Sequence, residues 1–486
     1  MPKEYFSLAK ACSLSEFSKT AKVHFLGVSG VAMAQLAVEL SNRGYLVSGS
    51  DKEFYDPMGS LLRSSKVKLY TGYHHQNLDP DLDLVVIGNA VSYENEEVLD
   101  IEQRKVSYSL FPKLLYETVI CGKHSIVVAG THGKSTTSAL GAVMLSKAGY
   151  DPSYFVGGII PEVGKSLNVG EGNFSIVEGD EYDSAFFAKV PKFKFYKPNT
   201  LIITSLEFDH ADIYNSIDDI LAQFYDLASQ MSSQDRIIIC VDSDKTLDLA
   251  KKWQKELSAE IITYGTCSEA KIRLTKRKVQ NTGQTFEIQG LTEEAITVNL
   301  KISGEYNALN SIAVISAAFF QGCELNKLVS AVSEFSGLKR RQEVRFVSDK
   351  YTLIEDFAHH PTAVRKTLAG IRELYPDSNL RVAFEPRSAS SMRDVFQTDY
   401  ESAFVSANEV CVCEVQNKKV DAQFNYLDVD RLAKNIQNAN GIAFKNSVDI
   451  SSHLISTLNP GDVIVVMSNG SFGGLIEKVL HELCSA

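Results

Sequence analysis

Short apolar runs rich in β-branched residues recur along this chain, and glycine or polar residues follow each run at once. Such runs are typical of strands buried on both faces of a parallel sheet. Apolar residues with helical spacing follow one of them at Val364, Leu368, Ile371 and Leu374. The pattern therefore predicts an α/β fold of repeated strand–helix pairs. The predicted strands are Val23–Leu26, Tyr45–Gly49, Leu82–Ile87, Val127–Ala129, Phe174–Val177, Leu201–Leu206, Tyr351–Ile354, Leu380–Phe384 and Asp462–Met467.

One strand-to-helix junction has the composition of a phosphate-binding loop. Val127–Ala129 run into Gly-Thr-His-Gly-Lys-Ser at Gly130–Ser135. Glycines let the backbone approach an anion, and the N-terminus of the following helix attracts negative charge. In such a loop Lys134 lies on the β- and γ-phosphates and Ser135 on Mg²⁺. Val128 stands where the common spacing has its first glycine, so the loop is a shorter variant; an ordinary glycine-rich turn is the alternative.

Acidic residues follow the next two predicted strands of this region. Glu178–Asp183 contains four carboxylates in six residues, which repel one another unless they are solvated or neutralised by a cation. Mg²⁺ binds carboxylate and phosphate oxygens together, so a magnesium role is one interpretation and a solvated acidic turn is the other. His210 lies in a similar position within Glu207–Asp212, although a lone histidine is more often structural than a metal ligand.

The first predicted strand begins a strand–helix–strand unit of the kind that binds nucleotides. Gly27 and Gly30 follow it, but Met33 replaces the third glycine of the dinucleotide fingerprint. This argues against NAD and favours a nucleotide diphosphate held at one helix N-terminus; a tight turn without ligand is the alternative. Asp51 lies where an acidic residue would hold a ribose, and Asn89 follows a further strand.

The last third of the chain repeats the same arrangement after a cationic segment, Lys339–Arg341. Asp356 and His359 follow one strand, Arg387 the next, and Ser468–Gly474 the last. These residues predict a third α/β domain with a ligand-facing rim. His359 and His360 are adjacent and point apart, so they do not form a metal pair.

Composition narrows the possible partners. The chain has 486 residues, enough for about three domains, and a formal net charge of −11, which argues against binding a nucleic-acid backbone. There is no apolar run long enough to span a membrane and no signal-peptide core. Eight scattered cysteines indicate reduced thiols, as in the cytoplasm.

Taken together, these segments resemble the Mur ligase family, the ATP-dependent amide-bond-forming enzymes of bacterial cell-wall precursor synthesis. The motifs that carry the resemblance are Gly130–Ser135, Glu178–Glu181, Asp209-His210, Asn307–Asn310 and Asp356–Pro361. The resemblance implies a Rossmann-like N-terminal UDP-binding domain, a central P-loop-type ATPase domain and a C-terminal Rossmann-like domain. We place them at 21–120, 121–337 and 338–486, after an N-terminal extension at 1–20.

The resemblance also implies roles for individual residues. Lys134, Glu178 and His210 are expected to be catalytic, with Ser135, Glu178 and His210 holding Mg²⁺. The ATP-binding set is Gly130, Thr131, His132, Gly133, Lys134, Ser135, Thr136, Asn307, Arg341 and Asp356. The set for UDP-N-acetylmuramate is Gly27, Ser29, Gly30, Ser50, Asp51 and Asn89. His359, His360 and Arg387 are expected to face the incoming peptide.

Within the family, the motifs resemble the branch whose acceptor is UDP-N-acetylmuramate. One member of that branch adds L-alanine; the other adds a recycled tripeptide, L-alanyl-γ-D-glutamyl-meso-diaminopimelate. Glu385–Ser388 and Met467–Gly474 favour the second, with the L-alanine ligase as the alternative. Two alternatives belong to other classes of protein, namely a P-loop kinase and a non-catalytic UDP-sugar sensor. We expect no nucleic-acid or membrane partner, and a monomer or weak homodimer.

The chain departs from the family pattern in three places. Gly179 replaces a usual alanine, and Glu355 stands where the family often has aspartate. Gln223–Tyr225 occupies the neighbourhood where several members carry a carbamoylated lysine. The muramate-specific branch also lacks this lysine, so the absence fits that branch but leaves open what supports a second metal ion.

Overall fold

The computed structural model describes residues 5–280, 283–416, 418 and 423–485. Its N-terminal domain is a sheet of five parallel strands in the order β3-β2-β1-β4-β5. The elements are β1 (Lys22–Leu26), α1 (Val31–Asn42), β2 (Leu46–Asp51), α2 (Met58–Arg63), β3 (Lys68–Thr71), β4 (Leu84–Ile87), α3 (Glu96–Arg104), β5 (Tyr108–Leu110) and α4 (Phe111–Leu115).

The central domain has a ten-stranded sheet in the order β17-β16-β15-β14-β13-β12-β6-β9-β7-β8, and a small hairpin, β10–β11. Its elements are β6 (His124–Ala129), α5 (Lys134–Lys147), β7 (Ser153–Ile160), β8 (Lys165–Asn168), β9 (Phe174–Glu178), β10 (Asp183–Ala185), β11 (Ala188–Pro191), β12 (Thr200–Ile203), α6 (Ile217–Ser229), β13 (Arg236–Cys240), α7 (Asp244–Glu256), β14 (Glu260–Gly265), β15 (Ile272–Gln280), β16 (Gly283–Gln289), β17 (Ile296–Leu300), α8 (Glu305–Phe319) and α9 (Leu325–Val332).

The position of β6 determines where the central site lies. β6 is hydrogen-bonded in parallel to β12 on one side and to β9 on the other, so the loops after all three strands leave the same edge of the sheet. Helices cover both faces of β6, since Ile126 and Val128 belong to a core shared with α5 and α8, and Val127 to a core shared with α6 and α7. Burial on both faces explains the continuous apolar run.

The C-terminal domain has a six-stranded sheet in the order β18-β19-β23-β20-β21-β22, in which β18 is antiparallel to β19 and the other pairs are parallel. Its elements are β18 (Glu343–Val347), β19 (Thr352–Asp356), α10 (Pro361–Leu374), β20 (Asn379–Phe384), α11 (Gln397–Ala403), β21 (Glu409–Cys413), α12 (Val429–Asn435), β22 (Asn440–Phe444), α13 (Ser447–Ser456), β23 (Asp462–Met467) and α14 (Leu475–Ser485).

The predicted α/β class is confirmed, with differences at some element ends. The strand predicted to reach Leu206 ends at Ile203, because Thr204 and Ser205 turn to hydrogen-bond the phosphate loop. Leu374, predicted to be buried, is half-buried at the end of α10. Among the described helices, none has both the length and the apolar composition needed to cross a bilayer.

Candidate active site

The loop between β6 and α5 is shaped by two glycines. Gly130 has φ +129° and Gly133 has φ +82°, backbone angles that residues with a Cβ rarely adopt. A Cβ on Gly130 would lie 2.5 Å from Thr204 Oγ1. The N–H of Thr131 donates to the Ser205 carbonyl at 2.9 Å, and that of His132 to Ser205 Oγ at 3.0 Å. The loop is therefore held on the segment after β12, while the unpaired N–H groups of the first turn of α5 are directed outward from its N-terminus.

Lys134 is a buried cation at the start of α5. Its Nζ donates to the Gly130 carbonyl at 2.7 Å and to Glu181 Oε2 at 2.8 Å. Burial lowers the pKa of Lys134, but the carboxylates of Glu181, Asp180 and Glu178 outweigh burial and raise the pKa above its usual value. Lys134 is therefore charged, as binding of a phosphate requires.

Glu178 ends β9 beside this lysine. Its Oε1 accepts from Ser135 Oγ at 2.8 Å and its Oε2 from the Gly157 N–H at 2.7 Å. Burial, and next the nearby Asp180 carboxylate, raise the pKa of Glu178. Buried carboxylates and a serine hydroxyl are the oxygen ligands that Mg²⁺ prefers, so these residues fit a hard divalent cation.

His210 lies on the third loop of this edge. It has φ +52°, which is uncommon for a residue other than glycine. Its Nε2 lies 3.2 Å from Glu181 Oε1, and its ring centroid lies 5.1 Å from that of Tyr182. The structure thus brings Ser135 to Glu178 and Lys134 to Glu181, but it places His210 beside Glu181 rather than beside Glu178.

A second group of predicted ATP-binding residues meets where the central and C-terminal domains join. Asp356 Oδ1 accepts from the Ala358 N–H at 2.7 Å and Oδ2 from the Gln342 N–H at 2.8 Å. Gln342 Nε2 donates to the Tyr306 hydroxyl at 2.6 Å, which links the start of α8 to this junction. The Arg341 guanidinium lies 4.6 Å from the Phe357 ring centroid.

Asn307, predicted to contact adenine, is buried beside Tyr306. Its Nδ2 donates to the Ser303 carbonyl at 2.6 Å, and its Oδ1 accepts from Asn310 Nδ2 at 3.4 Å. Asn310 in turn lies against Gly133, where a Cβ would be 3.2 Å from Asn310 Oδ1. The start of α8 therefore supports the phosphate loop from one side.

Glu207 joins the phosphate loop to the C-terminal domain. Its Oε2 accepts from Thr362 Oγ1 at 2.6 Å and lies 3.4 Å from His132 Nε2 and 3.7 Å from His360 Nδ1. Burial raises the pKa of Glu207, but the interaction with His132 and the hydrogen bond from Thr362 outweigh burial and lower the pKa to about 2. Glu207 is therefore an ionised contact between the two domains.

The segment after β20 docks on the loop that carries His210. Ser390 Oγ accepts from the Ala211 N–H at 3.1 Å, and Arg393 donates to the Ala211 carbonyl. Arg387, three residues before Ser390, is exposed and packs on Gly470, where a Cβ would clash with its Nη1 at 2.1 Å. No ion pair or hydrogen bond to the Arg387 guanidinium occurs among the described residues. Nearby, His359 Nδ1 lies 3.0 Å from the Phe357 carbonyl.

The predicted UDP-binding residues lie around the first strand-to-helix turn. Asp51 accepts from the N–H of Ser29 at 2.8 Å, and the Gly27 N–H donates to the Ser50 carbonyl at 2.9 Å. Gly30 caps α1. The Ser50 hydroxyl is fully buried, donates to Glu97 and lies 3.2 Å from His24 Nε2, so it belongs to a closed polar cluster, whereas Asn89 is exposed at the strand edge.

Comparison with known proteins agrees with this architecture. Three family models match the chain: Mur ligase family, catalytic domain, at 22–119; Mur ligase middle domain, at 128–318; and Mur ligase, glutamate ligase domain, at 340–470. The UDP-N-acetylmuramate–L-alanyl-γ-D-glutamyl-meso-2,6-diaminoheptandioate ligase of Escherichia coli is 32% identical over 95% of this chain and 98% of its own length. The chain belongs to the Mur ligase family.

Two further relatives bear on which amino substrate this chain uses. The UDP-N-acetylmuramate–L-alanine ligase of an Acidovorax species is 31% identical over 95% of this chain and 96% of its own length. The crystal structure of a murein peptide ligase from Psychrobacter arcticus superposes with a TM-score of 0.72 at 29% identity, covering 96% of this chain and 99% of the other. The identities to the two kinds of ligase are nearly equal, so overall identity does not select the amino substrate.

As a Mur ligase, the chain is an ATP-dependent amide-bond-forming enzyme of cell-wall synthesis. Its geometry also reveals residues that the sequence analysis did not select. Glu181 contacts both Lys134 and His210, and Glu207 contacts both the phosphate loop and α10. Both carboxylates lie within motifs visible in the sequence, but their partners are distant along the chain.

Proposed function

We propose that this Mur ligase joins L-alanyl-γ-D-glutamyl-meso-diaminopimelate to UDP-N-acetylmuramate, with hydrolysis of ATP to ADP and phosphate, in the cytoplasm. The observation that carries the proposal is the docking of the Arg387–Arg393 segment on the His210 loop through Ser390 and Ala211. In this proposal the exposed guanidinium of Arg387, three residues before Ser390, binds the peptide near the predicted phosphate-transfer site. Arginine binds carboxylates in a bidentate manner, and the tripeptide carries several carboxylates. The name of the Escherichia coli relative supports the same substrate.

The residues of the central site account for activation of the muramate carboxylate. The phosphates of ATP would lie over Gly130–Thr136, where Lys134 compensates the charge that develops during transfer. Ser135, Glu178 and His210 would hold Mg²⁺, with His210 also in contact with Glu181. When bound, the ion would neutralise phosphate charge and align the reacting oxygens. The carboxylate attacks the γ-phosphorus, the bond to the β-phosphate oxygen breaks, and ADP leaves behind an acyl phosphate.

The C-terminal domain would supply the second substrate. His360 Nε2 lies 3.2 Å from the carbonyl of Phe208, two residues before His210, so a peptide bound beside this turn and Arg387 would present its amine to the acyl phosphate. The uncharged amine attacks the carbonyl carbon, phosphate leaves, and the nitrogen loses a proton to give the amide. Positioning supplies most of the rate enhancement, because the side chains form no covalent bond with either substrate.

A competition experiment tests the choice of amino substrate. The purified protein is given ATP, Mg²⁺, UDP-N-acetylmuramate and equal concentrations of L-alanine and the tripeptide, and products are identified by mass. We expect UDP-muramoyl-tripeptide as the main product, with one phosphate released per conjugate. A product mass that corresponds to addition of L-alanine alone would overturn the proposal.

The second candidate is the L-alanine-adding ligase, which the 31% identity to the Acidovorax enzyme supports. Both reactions use the same acceptor and the same phosphate chemistry, so they differ only at the C-terminal rim. The competition experiment separates them directly, whereas a phosphorylated acceptor without amide would indicate a kinase.

A further inference from the structure

A segment that precedes the first sheet touches two domains at once. Phe6 is 3% exposed and lies within a cluster of aromatic rings. Its ring centroid lies 4.9 Å from that of Tyr108 in the N-terminal domain. It lies 5.5 Å from Phe186 and 5.8 Å from Phe187, which form the tip of the β10–β11 hairpin of the central domain. Phe6 therefore fills the space between an edge strand of one domain and a hairpin of the next.

The segment is fixed to the N-terminal domain by hydrogen bonds as well as by packing. The Ser7 N–H donates to the Tyr108 hydroxyl at 2.7 Å, and this hydroxyl donates to the Tyr5 carbonyl at 3.0 Å. The Cys12 N–H donates to the Tyr108 carbonyl at 2.8 Å. The Lys105 ammonium lies 4.6 Å from the Tyr5 ring centroid. Residues 5–12 thus cover the free edge of β5, the last strand of its sheet. In this position Phe6 packs against the hairpin.

The base of the hairpin is continuous with the candidate catalytic residues. β10 begins at Asp183, two residues after Glu181, which contacts Lys134 and His210. Between them, Tyr182 packs against the His210 ring and lies 4.1 Å below the Lys192 ammonium. A displacement of the hairpin would therefore be transmitted over a few residues to Glu181.

We propose that residues 5–12 form a strap, and that Phe6 is a positioning residue which fixes the hairpin, and with it the N-terminal domain, relative to the phosphate loop. The proposal rests on the proposed function, in which the acceptor binds to the N-terminal domain and the phosphates of ATP to the central domain. The muramate carboxylate must then reach the γ-phosphate across the junction that the strap holds. Small errors in such an alignment reduce the rate by large factors without changing the binding of either substrate.

The test compares Phe6→Ala with Leu8→Ala, a similar truncation in the same segment at a side chain that is 39% exposed. In Phe6→Ala we expect faster amide hydrogen exchange in residues 183–190 and a kcat at least about tenfold lower. The Kd values for UDP-N-acetylmuramate and for ADP, measured separately, should change less than about twofold, because neither binding surface is altered. Leu8→Ala should behave as wild type. Phe6→Leu, which keeps apolar volume, should recover most of the kcat.

Two outcomes would overturn the proposal: unchanged exchange in the hairpin of Phe6→Ala, or faster exchange with an unchanged kcat. If Phe6→Ala does not fold, Phe187→Ala removes the same contact from the hairpin side and carries the same expectations. A wild-type protein without ligase activity would refute the proposed function instead, and the exchange comparison, which needs no substrate, would still decide whether the strap holds the hairpin.

Discussion

The Lys134 ammonium is the point at which the phosphate loop and the acidic motif meet. The sequence predicts Lys134, Ser135 and Glu178 because each follows a predicted strand, and parallel neighbours deliver such residues to one edge. It does not predict that Glu181, rather than Glu178, receives both Lys134 and His210. A loop of three residues after a strand can turn in several directions, and contacts such as those of Tyr182 and Tyr214 with residues of the site select one. The metal-binding roles stay predictions.

Replacing Lys134 by alanine removes the cation that would compensate the transferred phosphate. We expect phosphate release with both substrates present to fall by a factor of about 100 to 1,000, the usual effect of losing one preorganised donor at a transition state. Lys251→Ala is the matched control, because Lys251 is exposed on α7 of the central domain. Turnover of Lys134→Ala within about twofold of the control would be incompatible with the proposed mechanism.

Replacement of Arg387 provides a second test at a single residue. Loss of a charge-assisted, bidentate contact with a carboxylate costs about 1.5–3 kcal/mol, so Arg387→Ala should raise the KM for the tripeptide about tenfold or more. The KM for ATP should not change. Arg365→Ala, at an exposed position on α10, is the control. An equal rise in both KM values, or no rise for the tripeptide, would show that Arg387 does not bind the peptide.

Individual strands were predicted well where burial on both faces produced a continuous apolar run. The strand Asp462–Met467 has the predicted bounds, and β19 and β20 differ from prediction by at most two residues at either end. Predictions were less accurate where polar contacts decide an end, as at Ile203, where Thr204 leaves the strand for the phosphate loop. The sequence predicts no site residue between Ile237 and Lys301, where the antiparallel strands β15–β17 extend the sheet without contributing to the predicted site.

The start of α10 gives a prediction that depends on pH. His360 caps this helix, and burial, followed by the nearby His132, lowers its pKa to about 4, although Asp209 and Glu207 oppose the shift. Unfolded chains protonate histidine near pH 6.5, so the unfolded state gains protons first as the pH falls. Stability that is present above about pH 6.5 should therefore be lost between pH 6.5 and 4, by up to about 3 kcal/mol.

His360→Asn is the variant that isolates this effect, because asparagine also caps helices well but does not titrate. We expect the thermal midpoint of wild type to fall relative to that of the variant as the pH is lowered from 6.5 to 4. A difference between the two midpoints that does not change with pH would contradict the assignment of a neutral, buried His360.

The described residues form one large sheet in each of three domains, and contacts between the domains hold these sheets together. The family resemblance predicted the order of the domains, and the boundaries at 21–120, 121–337 and 338–486 stay predictions. No periodicity indicates that Ala211 bonds Ser390, or that Phe6 meets Phe186, because these partners are 179 and 180 residues apart. Such contacts depend on how complete domains pack, and local sequence patterns report only on the elements within each domain.

Transfer of oxygen from the acceptor to phosphate would show that the muramate carboxylate is activated as an acyl phosphate. UDP-N-acetylmuramate with both carboxylate oxygens labelled with ¹⁸O is incubated with ATP, Mg²⁺, the tripeptide and the protein, and both products are analysed by mass. If the carboxylate attacks the γ-phosphorus and the peptide amine then displaces phosphate, one ¹⁸O passes to phosphate and one stays in the UDP-muramoyl-tripeptide. Unlabelled phosphate, or labelled phosphate without a tripeptide conjugate, would contradict the account.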